Sequence, residues 1–236
     1  MPAQSVLAEA EALKPPAGVD GGLMWGQQIV DGWVERSSLS DIYARKDQAP
    51  VPMIIGNNTR EFPLDLPANE VGEIIRKTFG GRASEMLALY GLGESGSMTD
   101  DPVLGSAGTQ FATDVGFRCP ANWVTNHMHD AGLKVWRYQF GLPRAYTNGP
   151  SEHSAELRYI FETPPEGTTV AAWPPLQQYW ANFARTGDPN GPGLPHWPEL
   201  GQELSYIDFT PLGAVTGKDL RGAACRAVNS ASDGQG

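Results

Sequence analysis

Apolar residues along this chain fall into two periods. Leu176, Tyr179, Trp180, Phe183 and Ala184 stand at i, i+3, i+4, i+7 and i+8, one stripe of an α-helix. Pro174-Pro175 opens that stripe, and Gly187 with Pro189 closes it. Val71, Ile74, Ile75 and Phe79 repeat the spacing until Gly80-Gly81 stops it. Further helices are expected over residues 84–90, 104–117 and 120–131, the last with Pro120 in its first turn and Gly132 at its end. Period two governs residues 134–140, which places Trp136, Tyr138 and Phe140 on one face of a strand and Val135, Arg137 and Gln139 on the other. The apolar run at 51–55 halts at Gly56-Asn57-Asn58, as suits a short strand buried on both faces, and 204–209 reads as a last strand. At the N-terminus, 5–13 is rich in helix formers, 16–46 is irregular and turn-rich, and the tail from 229 to 236 is expected to be disordered. Strands alternating with helices give an α/β layer architecture with right-handed crossovers.

Composition narrows the function. Seventeen Lys and Arg against 27 Asp and Glu leave a net charge of −10, which excludes a nucleic-acid partner that needs a basic stripe. The 40% of hydrophobic residues supply a packed core within the 236 residues, enough for about one large domain. No apolar run approaches the roughly 20 residues of a membrane span. The N-terminus, carrying Glu9 and Glu11 and no basic leader, does not read as a signal peptide. Cys119 and Cys225 are too few and too far apart for a cysteine zinc site. They are either two unrelated buried thiols or one bridge, which would require an oxidising compartment.

Among the four histidines, His127 and His129 lie two apart on an expected helix and face different directions, so they do not form a joint metal site. His196, beside Trp197 in a proline-rich loop, reads as a packing residue. His153 follows a strand and precedes an amphipathic segment, where α/β enzymes place catalytic groups. Glu61 stands in the same relation to the strand at 51–55. An acid followed by a histidine matches the second and third places of an α/β-hydrolase triad. The first place is empty, because no Gly-x-Ser-x-Gly occurs. The nearest string, Gly93 to Ser97, lacks the last glycine and lies after Glu61, so Ser95 is not the nucleophile. Gly21-Gly22 is too short for a glycine-rich oxyanion segment.

Four stretches together resemble the type-B carboxylesterase and cholinesterase family. VPMIIGNNTRE at 51–61 resembles the strand and turn presenting the family glutamate, Gly-x-Asn-x-x-Glu-Gly, with Phe62 in place of the last glycine. EHSAELRYIF at 152–161 resembles the segment around the catalytic histidine, and YWANFARTGDPN at 179–190 with Trp197-Pro198 resembles the late helix and loop. FRCP at 117–120 and LRGAAC at 220–225 resemble the half-sites of a family disulfide, and Val30-Asp31-Gly32 fits the lead-in. The matches run in family order from about 28 to 226.

The resemblance implies the C-terminal part of an α/β-hydrolase, over 28–228, after an N-terminal lead-in at 1–27; that part is incomplete without an N-terminal half. It makes His153 the base, Glu61 the residue that orients it, and Cys119–Cys225 a disulfide, which favours an extracytoplasmic site. Trp123 and Tyr146 are candidate pocket aromatics without an assigned place. The implied substrate is a small carboxylic ester, and the implied partner is the N-terminal half bearing the serine and oxyanion hole. No metal or cofactor is implied. The chain alone is expected to have almost no ester turnover and to bind its partner or be poorly soluble. A non-catalytic binding or adhesion module, or an inactive fragment, is the alternative.

Overall fold

A computed structural model describes residues 2–5, 30–93, 100–145, 149–164, 166–169 and 173–232. Residues 6–13 of the expected first helix, Gly21-Gly22, Ser95 and Tyr146 lie outside them. The chain divides into two units, 1–42 and 43–236. In the first, the Asp31 carboxylate accepts the N–H groups of Trp33, Val34 and Glu35, which pull its pKa down. Helix α1 (Leu39–Ala44) interrupts the stretch expected to be irregular, and the Ser38 hydroxyl caps it by accepting the Asp41 N–H.

The second unit is built on a four-stranded sheet in chain order: β1 (Met53–Asn58), β2 (Val135–Phe140), β3 (Ser205–Thr210) and β4 (Gly213–Lys218). The first three run parallel and β4 returns antiparallel to β3. Between β1 and β2 come α2 (Ala68–Phe79), α3 (Ala83–Leu89), α4 (Ala107–Thr113) and α5 (Cys119–Asp130); between β2 and β3 come α6 (Ala155–Phe161) and α7 (Leu176–Thr186). Helix α8 (Gly222–Ser232) closes the described chain.

Every residue of β2 is buried, and its alternation divides the packing as the period predicts. Trp136, Tyr138 and Phe140 join Ile207, Phe209, Tyr159, Leu176, Tyr179 and Trp197 in an aromatic-rich core. On the opposite face Val135 packs with Met128 and Leu200, while the Arg137 guanidinium is fully buried and donates to Asn122 Oδ1, Asn57 Oδ1 and the Tyr138 carbonyl. Its donors are therefore satisfied internally, which burial of a charge requires.

Three boundaries differ from expectation. Strand β1 runs through Gly56-Asn57-Asn58 instead of turning there, because those residues pair in register with Tyr138, Gln139 and Phe140. The Tyr138 ring lies across Gly56, where a Cβ would come within 2.2 Å of ring carbons. The two helices expected over 104–117 and 120–131 form one rod, α4 to α5, through a π-helical turn at Asp114–Arg118, with Cys119 N–H donating to the Asp114 carbonyl. Pro120, which has no N–H to give, stands in the first turn of α5, one residue after Cys119. Finally, α8 continues to Ser232, beyond the 229 at which disorder was expected; the Asn229 amide donates to the Cys119 carbonyl. Strand β4, which the pattern did not predict, pairs along its length with β3.

Cys119 and Cys225 form a disulfide that joins the start of α5 to α8. Both are buried beside Val71, Ile75, Met86, Tyr90 and Phe111. Among the described residues no helix is long and apolar enough to cross a membrane.

Candidate functional site

The site forms where β1 and β2 end side by side. Past Asn58 the chain turns through Thr59 and Arg60 to Glu61. Thr59 N–H extends the ladder to the Phe140 carbonyl, and Arg60 N–H donates to the Ser151 carbonyl. The Glu61 N–H is taken by Thr113 Oγ1 at 3.1 Å. From the other strand, Ser151 Oγ donates back to the Phe140 carbonyl and His153 N–H donates to the Glu61 carbonyl at 2.9 Å. Main-chain bonds thus bring together two residues 92 positions apart before either side chain is considered.

The side chains then meet directly: His153 Nδ1–H donates to Glu61 Oε2 at 2.7 Å. Glu61 Oε1 accepts the Asn58 N–H at 2.7 Å. Glu61 is buried, with 4% of its surface exposed, whereas the His153 side chain is 49% exposed. Burial pushes the Glu61 carboxyl above its ordinary pKa, the Asn58 N–H and His153 pull it back, and the nearby Glu156 charge adds to the rise. Among the described residues no group bonds His153 Nε2, so the imidazole has one nitrogen anchored and one available for proton transfer.

Two phenylalanines flank the imidazole. Phe62 lies 4.7 Å from it between ring centroids at a 33° tilt, and Phe117 lies 5.3 Å away at 52°. The two are also in contact with each other, at 5.4 Å. Phe117 belongs to the π-helical turn. The same turn carries the fully buried Asp114 and Arg118, which pair with each other. Asp114 Oδ2 also accepts Arg221 Nη2 at 2.9 Å and the Tyr90 hydroxyl at 3.1 Å, and Arg118 Nη2 donates to the Thr59 carbonyl at 3.1 Å. The turn leading to Glu61 is therefore tied to a charged network inside the helical layer, next to the disulfide.

Of the described residues singled out from sequence, Glu61 and His153 come together at this site, Cys119 and Cys225 pair in the disulfide, and His127, Trp123 and His196 make their contacts elsewhere. His127 stacks on Trp123, with centroids 3.9 Å apart, and its Nδ1–H donates to the Trp123 carbonyl. Trp123 packs against Tyr43 and His127. His196 is exposed, and its neighbour Trp197 is the buried packing residue, with Nε1–H donating to the Arg137 carbonyl. Among the described residues no group of three or more His, Cys, Asp and Glu is placed to hold a metal. Asn58, Thr113, Phe117 and Arg118 belong to the site yet were not singled out for it. Asn58, Phe117 and Arg118 lie inside quoted motifs, while nothing local distinguishes Thr113.

A cavity of about 510 Å³ opens past the carboxyl ends of β1, β2 and β3; it shares Thr59, Arg60 and Ser151 with this site and is also lined by Gly141, Asp208 and Thr210. Burial raises the Asp208 carboxyl, and the Gln139 amide donates to it at 3.0 Å.

Comparison with known proteins places the chain in a family and a fold. The sequence model of the carboxylesterase family matches residues 8–227. Carboxylesterase 1C of Rattus norvegicus is 29% identical over 88% of this chain and 42% of its own length. The liver carboxylesterase of Sus scrofa is 30% identical over 77% of this chain and 37% of its own. Among solved structures, the Geobacillus stearothermophilus carboxylesterase EST55 superposes with a TM-score of 0.72 at 23% identity, over 96% of this chain and 49% of that one. Aspergillus niger EstA gives 0.65 at 17% identity, over 86% and 44%. The chain spans about two-fifths of these curated relatives and about half of these solved chains. Its mixed sheet with flanking helices is part of an α/β-hydrolase fold.

Proposed function

This chain belongs to the carboxylesterase family, and from that membership we propose that it supplies the acid and the base of a serine carboxylic-ester hydrolase. Glu61 and His153 are the two triad members present. The serine nucleophile and the oxyanion donors come from a segment outside these 236 residues, since the sequence holds no Gly-x-Ser-x-Gly. The observation that carries the reading is the 2.7 Å bond from His153 Nδ1–H to a buried Glu61 carboxylate, with the far side of the imidazole open.

The chemistry follows from that geometry. His153 Nε2 takes the serine proton as the serine oxygen bonds to the ester carbonyl carbon. Glu61 holds the Nδ1–H tautomer and stabilises the imidazolium that forms. As the tetrahedral intermediate collapses, Nε2–H gives its proton to the departing alkoxide, releasing the alcohol and leaving an acyl-serine. Water then attacks by the same route: Nε2 takes its proton and returns one to the serine oxygen as the acid leaves. No step calls for a metal or a cofactor.

The test is p-nitrophenyl acetate hydrolysis by the purified chain, alone and mixed with a family segment bearing the serine elbow. The chain alone is expected to give almost no turnover, and the mixture to restore it. In the mixture, His153→Ala or Glu61→Gln should cut kcat by roughly 10³–10⁴-fold. Ordinary esterase turnover by the chain alone, surviving Ser95→Ala, would overturn the reading, as would a restored activity indifferent to His153→Ala.

A further inference from the structure

We propose that Asn58 is a positioning residue that holds the acid and the base of this site in register; the inference rests on the reading of Glu61 and His153 above. Asn58 ends β1 and is 1% exposed. It acts in two directions. Its main-chain N–H donates to Glu61 Oε1 at 2.7 Å. Its side-chain amide donates to the Glu152 carbonyl at 2.9 Å and to Glu156 Oε2 at 2.7 Å. Glu152 immediately precedes His153, and Glu156 lies three residues after it, in the first turn of α6. One amide therefore brackets the short segment that presents the imidazole.

That segment needs bracketing. Ser154, directly after His153, has φ +64°, a left-handed conformation uncommon for a residue with a Cβ and maintained only where the surroundings determine it. The Nδ1 bond to Glu61 constrains the ring, and the His153 N–H bond to the Glu61 carbonyl constrains one main-chain point. The Asn58 amide supplies the constraints on either side of them.

The residue type fits the task. Asn58 stands between the carboxylates of Glu61 and Glu156, and an amide offers two donors without adding charge. A serine there has a single donor, and an aspartate would set a third carboxylate beside the other two. Asn58 Oδ1, by contrast, is buried with no partner among the described residues. The donors, and not the acceptor, account for an amide at this position.

The readout is the imidazole N–H proton of His153, observed by proton NMR in the whole chain, with its exchange rate against water measured. His153→Gln assigns the signal. Asn58→Ala should speed exchange by about tenfold, the scale of one lost charge-assisted hydrogen bond, with the thermal melt still cooperative. Glu156→Ala should move it in the same direction, whereas Glu156→Gln, which keeps an acceptor for the amide, should leave it at the wild-type rate. Wild-type exchange in both alanine variants would overturn the proposal. Should Asn58→Ala fail to fold, the Glu156 pair decides: equal exchange in Glu156→Ala and Glu156→Gln overturns it. A signal that survives His153→Gln would instead defeat the pairing of His153 with Glu61, so the two failures are distinguishable.

Discussion

Burial of Glu61 sets its charge against folding. Its carboxyl is raised chiefly by burial, so the folded chain takes up this proton at a higher pH than the unfolded chain. Stability is therefore gained as pH falls from the raised folded value through the ordinary carboxylate range, and the ionised group is a net cost above it. Glu61→Gln should be at least as stable as wild type at neutral pH, and its advantage should shrink as the pH falls through that range. Urea midpoints of both proteins across pH 4–8 check this, and an advantage that does not change with pH would contradict it. Gly56 answers a steric demand of the same kind. Gly56→Ala drives a methyl into the Tyr138 ring and should cost about 1–3 kcal/mol by denaturant unfolding. At this scale the sequence made the two chemical residues legible, because type and order suffice to nominate a carboxylate and an imidazole. It did not single out Thr113 or Arg118 for the site, whose contributions exist only through bonds to Glu61 N–H and the Thr59 carbonyl.

Among the elements, the π-helical turn at Asp114–Arg118 reaches the site at two points. Its wider winding carries Phe117 to the imidazole and Arg118 to the Thr59 carbonyl within one continuous rod. Gly116, in that turn, is exposed, and a Cβ there would meet no atom within 4 Å. Gly116→Ala should therefore stabilise the chain by about 0.5–1 kcal/mol, because alanine loses less conformational freedom in a helical turn. A thermal melt that falls instead would show that the turn uses the flexibility of glycine. The helical pattern on both sides of this turn was legible, yet one extra residue per turn leaves no mark in a 3.6-residue period. Strand β4 went unread for a related reason: Gly213 to Lys218 shows no alternation, since only pairing with β3 makes it a strand.

Across the whole molecule, the disulfide links parts of the chain that hydrophobic pattern cannot relate. Cys119 and Cys225 are 106 residues apart, and closing a loop of that length stabilises by about 4–5 kcal/mol in the chain-entropy description. Reduction, or Cys225→Ser, should lower the unfolding free energy by that order, read from denaturant curves with and without reductant. Thiol titration of the denatured, unreduced chain should find no free thiol. The bridge also anchors α5 and α8 beside Arg118, so a bridge-free variant should lose order around Glu61 as well as stability.

The sequence by itself determined the helix stripe of α7, the two faces of β2, the α/β class and the order of Glu61 before His153. These follow from local geometry: a period of 3.6 or 2 is written in neighbouring residues, and the strand-then-loop setting of each catalytic candidate spans only a few positions. The tertiary structure alone decided where β1 ends, that α4 and α5 join through a wide turn, and that Asn58 bonds Glu61 on one side and Glu152 and Glu156 on the other. Each of these depends on pairings between distant residues, such as the 92 positions from Glu61 to His153 and the 98 from Asn58 to Glu156. Hydrogen bonds across such separations form only once the sheet has brought strand ends together, so no periodicity along the chain records them.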